Sequence, residues 1–166
     1  MKYRQYRFMA LMVVAVSLLN CSSKKADDGI IELKDVKLST LTAQPIDMGE
    51  FEGKVVFINF WATWCGPCIK EMPTIAEAQT LMADKDVVFL LASNEELDQI
   101  ESFSEKRDFK FRYVQLNNME ELKIQALPTT FIFDSEGALQ FSETGTRAWN
   151  EPANIDLITK ILNHEK

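Results

Sequence analysis

The sequence predicts an α/β fold in which a central mixed β-sheet is flanked by helices on both faces, built as one domain over residues 30–166. Three observations predict it. Residues 54–62 (KVVFINFWA) and 86–93 (DVVFLLAS) are continuously apolar, β-branched or aromatic, as strands covered on both faces are. Each run is followed by a segment whose apolar residues recur at helical spacing. The order of elements, β-α-β-α-β-α-β-β-α, joins a β-α-β half to a β-β-α half.

Each element has its own signal. Residues 30–54 alternate in short segments around a polar turn at Ala43, Gln44 and Pro45, and predict an N-terminal β-hairpin extension or meander. After the first buried strand, Ile69, Met72, Ile75, Ala76, Ala78 or Gln79, and Met82 mark the inner face of a helix. Pro73 lies inside it and should kink rather than end it, because the periodicity continues. Residues 95–109 predict an amphipathic helix with Leu97, Ile100 and Phe103 or Ser104 inward. Residues 111–116 predict a short strand and 118–124 a short helix. Residues 129–145 predict strand, turn, strand, with Gly137 supplying the positive φ of the turn. A closing helix follows, with Asn150 as its expected N-cap and Pro152 in its first turn.

The first thirty residues have a different character. Residues 1–7 carry Lys2, Arg4 and Arg7 without an acid, and residues 8–19 are an apolar run of twelve. That is the layout of a secretory signal over residues 1–20, and it is too short to span a hydrocarbon core of roughly 30 Å. Cys21 directly after the run resembles a bacterial lipobox, in which the cysteine is lipidated after cleavage. Leu18 suits that pattern; Asn20 departs from it, since a small residue is usual there. Residues 21–29 are small, polar and charged, and are expected to act as a flexible tether. Ser22 in place of Asp follows the sorting rule of Gram-negative lipoproteins for the outer membrane. The chain is thus expected in the cell envelope, anchored by lipid on the periplasmic side.

Of 166 residues, 25 are acidic and 18 are Lys or Arg, a net charge of −7. Loss of residues 1–20 would make the remainder more acidic still. That balance argues against nucleic acid or an anionic membrane surface as the main partner.

The chemistry gathers in WATWCGPC, residues 61–68. A structural zinc site needs about four ligands, and one Cys-x-x-Cys gives two, with the single His164 near the C-terminus. No metal or cofactor is expected. A disulfide across two residues restrains little unfolded-state entropy, so a mere staple is a poor reading. Redox exchange fits the pattern. Cys65 falls at the start of a helix, where unpaired N–H groups favour a thiolate. Cys68 lies one turn on, placed to attack a mixed disulfide at Cys65. Gly66 permits close approach of a substrate backbone, and Pro67 tolerates a first helical turn. In an oxidising compartment such a pair needs a supply of electrons.

The segments VVFINFWATWCGPCIKEMP (55–73) and LPTTFIFDSEG (127–137) resemble the thioredoxin-like superfamily, specifically the TlpA/ResA-like extracytoplasmic thiol–disulfide oxidoreductases. The resemblance implies a thioredoxin fold, Cys65 as attacking thiol and Cys68 as resolving thiol. It implies that Pro128 is a cis-proline holding the backbone of Leu127 beside Cys65 as a ledge for substrate. Cytoplasmic thioredoxins carry a buried Asp where this chain has Asn59; Glu71, one turn beyond Cys68, matches the acidic residue of the ResA-like pattern and would relay protons. Trp64 is expected to cover the disulfide as a contact surface, Trp61 to lie in the core, and Lys70 to be solvated.

The function expected is reduction of protein disulfides by a membrane-anchored enzyme. Electrons would come from a membrane thiol transporter of the DsbD/CcdA kind, and the family's best-known client is apocytochrome c in cytochrome c maturation. Alternatives are a disulfide oxidant or isomerase, a peroxiredoxin-like peroxidase, and a surface binding module without catalysis. Ala62 stands where a peroxiredoxin would carry the Thr of its Thr-x-x-Cys motif.

Overall fold

The computed structural model describes residues 31–164. The readings of residues 1–29 as signal, lipidated Cys21 and tether therefore lie outside the described residues. Among the described residues no helix is long and apolar enough to cross a membrane.

Six strands and three α-helices follow one another: β1 (Leu38–Ser39), β2 (Val55–Phe60), α1 (Gly66–Leu81), β3 (Val87–Ser93), α2 (Leu97–Glu105), β4 (Arg112–Leu116), β5 (Thr129–Phe133), β6 (Leu139–Thr144) and α3 (Pro152–Leu162). They form one mixed sheet in the order β1-β4-β3-β2-β5-β6. The β2–β3 and β3–β4 pairs are parallel, and the β2–β5, β5–β6 and β1–β4 pairs antiparallel. Every residue of β2 and of β5 is buried, which for β2 explains the continuous apolar run over residues 54–62.

Alternate residues of β2 feed two cores. Val55 and Phe57 join Met72, Ile75 and Ala78 of α1, Ile100 and Phe103 of α2, and Ile158 and Ile161 of α3. Val56, Ile58 and Phe60 join Leu33, Val36 and Phe51 from the N-terminal segment and Leu122 and Ile124 from the β4–β5 connection. The three α-helices of the described residues thus pack on one face, not on both as expected, and short 3₁₀ and irregular segments cover the other.

Three local expectations are corrected. The N-terminal segment is not a regular hairpin. It consists of two 3₁₀ helices, Leu33–Asp35 and Met48–Phe51, around a two-residue β1 that pairs with β4, plus isolated Ser39–Pro45 and Glu32–Ala138 bridges. Residues 118–124 form turns rather than a helix. Asn118 there turns its side chain to the N-terminal segment, accepting from Lys37 N and donating to Asp35 O, and Lys123 at φ 55° ends the helical path. The N-cap position of α3 is held by Glu151, without a side-chain capping bond, and not by Asn150, whose side-chain amide donates to Glu77 Oε2 instead. Helix α1 runs through Pro73, which is exposed, and Gly137 has the expected positive φ of 81°.

Candidate active site

Strand β2 delivers the chain to the C-terminal end of the parallel strands, where open α/β sheets place their sites. Trp61 N still donates to Ala92 O, so the sheet reaches one residue past β2. The loop that follows is anchored by Glu95, from the connection after β3. Its carboxylate accepts from Thr63 N at 2.6 Å, from Thr63 Oγ1 at 2.7 Å and from Ser93 Oγ at 3.0 Å. Cys65 N then donates to Ala62 O at 3.0 Å, tightening the turn into α1.

Cys65 is the N-cap of α1, and its Sγ accepts from Cys68 N at 3.3 Å. A helix N-terminus offers unpaired N–H groups to negative charge, so a sulfur in this position is favoured as thiolate when the pair is reduced. Here the pair is oxidised: Cys65 and Cys68 are joined by a disulfide, with Cα atoms 5.3 Å apart. Both cysteines are buried, whereas Gly66 and Pro67 between them are exposed and Trp64 is 74% exposed. A Cβ placed on Gly66 would meet no atom within 4 Å, so packing does not require glycine there. Trp61, by contrast, is a core side chain packed on Phe103 and Tyr113. Lys70 is exposed.

Glu71 is the one buried acid of α1. Oε1 accepts from Trp149 Nε1 at 2.6 Å and from Arg147 N at 2.9 Å; Oε2 accepts from Asn59 Nδ2 at 3.3 Å. Burial pushes its carboxyl above the ordinary value, the three donors pull against that rise, and nearby Glu143 adds to it. The Arg147 guanidinium pairs with Glu143, donates to Asn154 Oδ1, and lies over the Phe141 and Trp149 rings. A cleft of about 390 Å³ is lined by Pro67, Lys70, Glu71, Thr74 and Arg147.

The Leu127–Pro128 peptide bond is cis. The β2–β5 register pairs Phe60 with Thr129, so Pro128 stands one step further along, level with the start of the loop that carries Cys65. Leu127 is half-buried between the two cores.

The structure thus brings Cys65 and Cys68 together, sets Glu71 one turn beyond them in a hydrogen-bonded pocket, and leaves Trp64, Gly66 and Pro67 at the surface. Sequence reasoning missed Trp149, Arg147 and Glu95, and Thr130, whose Oγ1 accepts from Asn59 Nδ2 at 3.0 Å. Glu95 had a findable signal, a carboxylate just past the C-terminal end of a buried parallel strand. Trp149 had none, because its contact spans 78 positions.

A mixed sheet that feeds a helix-capping Cys-x-x-Cys, with a cis-proline at the end of the neighbouring strand, defines a thiol–disulfide oxidoreductase of thioredoxin fold. The chain belongs to the Redoxin family, whose model matches residues 31–157. It is 33% identical over 123 residues to the thioredoxin-like protein YneN of Bacillus subtilis (strain 168), a match covering 70% of this chain and 72% of that protein. It is 36% identical over 117 residues to the thiol-disulfide oxidoreductase ResA of Geobacillus thermodenitrificans, covering 68% of this chain and 67% of that protein. To ResA of Bacillus thuringiensis subsp. konkukian it is 34% identical over 110 residues, covering 64% of each. The chain therefore spans about two thirds of the length of these relatives.

Solved structures agree on the fold. A thiol:disulfide interchange protein of the thioredoxin family from Chlorobium tepidum TLS superposes with a TM-score of 0.61 at 24% identity, covering 75% of this chain and 90% of that one. StoA from Bacillus subtilis gives 0.58 at 19% identity, covering 75% and 93%. The chain is a TlpA/ResA-like member of the thioredoxin superfamily and a protein-disulfide oxidoreductase, as the two sequence motifs implied.

Proposed function

We propose that this protein reduces protein disulfides outside the cytoplasm. The observation that carries the reading is the placement of Cys65 as N-cap of α1, bonded to Cys68, with the buried Glu71 carboxyl one turn beyond.

In the reduced enzyme the Cys65 thiolate attacks a client disulfide. A mixed disulfide forms, and one client sulfur leaves as a thiolate and takes up a proton. Cys68 then gives its proton to Glu71 and attacks the Cys65 sulfur, releasing the second client thiolate, which takes up the proton that Glu71 gives back; the proton on the first client thiol matches the one Cys65 released on ionising. The client gains two electrons and two protons, and the enzyme is left with the Cys65–Cys68 disulfide. A carboxyl lifted by burial is a better acceptor near neutral pH than an ordinary glutamate. Trp64, Gly66, Pro67, Leu127 and Pro128 form the surface that meets the client, with an extended segment pairing against the backbone of Leu127.

The oxidised pair must be re-reduced, and a membrane dithiol transporter of the DsbD/CcdA kind is the donor we assign. Lipidation at Cys21 would hold residues 30–166 at the outer membrane through the 21–29 tether once residues 1–20 are removed. Apocytochrome c thiols before haem attachment are the client class favoured by the resemblance.

Insulin reduction with a small dithiol as electron source tests the reading. The wild-type chain is expected to precipitate the insulin B chain and a Cys65→Ala variant to lose that activity; full activity in the variant would overturn the proposal. A Cys68→Ser variant that still consumed peroxide with added thiol would indicate a peroxidase instead.

A further inference from the structure

The two oxygens of Glu71 differ in what they can do. Oε1 already accepts from two groups, Trp149 Nε1 and Arg147 N, that can only donate. A proton taken up by Glu71 therefore resides on Oε2, the oxygen that faces Asn59 Nδ2 at 3.3 Å. That same Nδ2 donates to Thr130 Oγ1 at 3.0 Å. Asn59 is fully buried and its Oδ1 has no hydrogen-bond partner among the described residues. Its backbone is fixed between Leu91 of β3 and Thr130 of β5, so it cannot draw back.

The orientation present suits a carboxylate. Once Oε2 carries a proton, an O–H and an N–H point at each other. Turning the amide end for end presents Oδ1 to the Glu71 hydroxyl, and the two ends of an amide are nearly the same size. Thr130, whose hydroxyl accepts in one orientation, donates to Oδ1 in the other. Each orientation leaves one end of the amide unmet, Oδ1 in the first and Nδ2 in the second. Neither is locked by the surroundings, so the proton on Glu71 decides between them.

We propose that Asn59 is a positioning residue that inverts its side-chain amide, with Thr130 reversing its hydroxyl, whenever Oε2 of Glu71 gains or loses a proton. Glu71 stays hydrogen-bonded in both states, and no backbone movement is needed. An ionised Asp at this position could accept but never donate, so it would serve only one state. The proposal rests on Glu71 as the proton relay.

The charged and titratable groups around Glu71 are Lys70 and the Cys65–Cys68 pair on its own helix, Glu143 of β6 and Arg147 before α3. In the disulfide form the thiols do not titrate, which isolates the carboxyl. The experiment is an NMR titration of the disulfide form, following Glu71 Cδ and the Asn59 side-chain amide together. The Asn59 Nδ2 proton contacts to Thr130 are expected to vanish on acidification with the midpoint of Glu71 itself. Contacts that persist through the whole Glu71 titration would overturn the proposal.

Two variants read the same point differently. Trp149→Phe removes a donor that holds the charged form more strongly than the neutral one, and should raise the Glu71 midpoint by on the order of one pH unit. Asn59→Leu removes a partner of both forms, and should move it by less than about half a unit. An Asn59→Leu shift as large as that of Trp149→Phe would mean a fixed donor and contradict inversion. If Asn59→Leu fails to fold, the wild-type titration still decides. A Glu71→Gln variant that reduces insulin at the wild-type rate would overturn the relay and leave the inversion standing.

Discussion

Trp149 Nε1 donates to Glu71 Oε1 at 2.6 Å, tying the segment before α3 to the helix that carries both cysteines. The bond is buried, so its donor and acceptor have no water to fall back on. Trp149 also packs edge-on against Phe57 and Phe141, so the ring is held independently of its N–H. A Trp149→Phe variant keeps much of that packing and loses the donor. It should be less stable by about 1.5–3 kcal/mol, the usual worth of a hydrogen bond to a charged group. Urea unfolding checks this: the midpoint should fall while the slope stays constant.

The raised Glu71 carboxyl makes stability depend on pH in a definite direction. Its folded value lies above its unfolded one, so the folded state binds the proton more tightly. The contribution is full below the ordinary carboxylate range and is lost as pH rises through the folded value. The difference in unfolding free energy, wild type minus Glu71→Gln, should therefore decline with pH above about 4.5 and then level off. A difference that climbs with pH would contradict the burial-driven rise.

Glu95 should matter to the site although it lies on a different connection. Glu95→Ala leaves Thr63 N, Thr63 Oγ1 and Ser93 Oγ without the acceptor they share. The expected loss is about 1–3 kcal/mol of stability, with slower insulin reduction because the loop entering Cys65 is released. Thermal unfolding and the insulin assay on the same preparation check both effects.

The two tryptophans beside the cysteines should respond in opposite ways. Trp61 is fully buried, so Trp61→Ala should destabilise by about 3–5 kcal/mol. Trp64 is exposed, so Trp64→Ala should change stability by no more than about 0.5 kcal/mol while slowing exchange with protein clients several-fold. Parallel urea curves and client kinetics separate a core residue from a contact residue.

Much of this architecture was legible in the sequence because burial on both faces writes itself as unbroken apolar runs. Residues 55–60 and 87–93 read that way and are strands. Cys65 and Cys68 were legible for another reason, their spacing at a strand-to-helix junction, and Pro128 was legible through the resemblance of residues 127–137. Residues 118–124 misled because Asn118 spends its side chain on a segment some eighty residues away. Asn150 misled for the same reason, through Glu77. Glu71 could be picked out by its spacing from Cys68, but its partners come from β2 and from the segment before α3. Local pattern shows which residues could do chemistry; contacts between distant segments decide what surrounds them.

The central claim is that the Cys65–Cys68 pair donates electrons to client disulfides. The reduction potential of that pair, measured by equilibration with a thiol–disulfide redox buffer of known composition, tests it most directly. The account predicts a value near thioredoxin's, roughly −270 mV, and a value near roughly −120 mV, where DsbA lies, would contradict it.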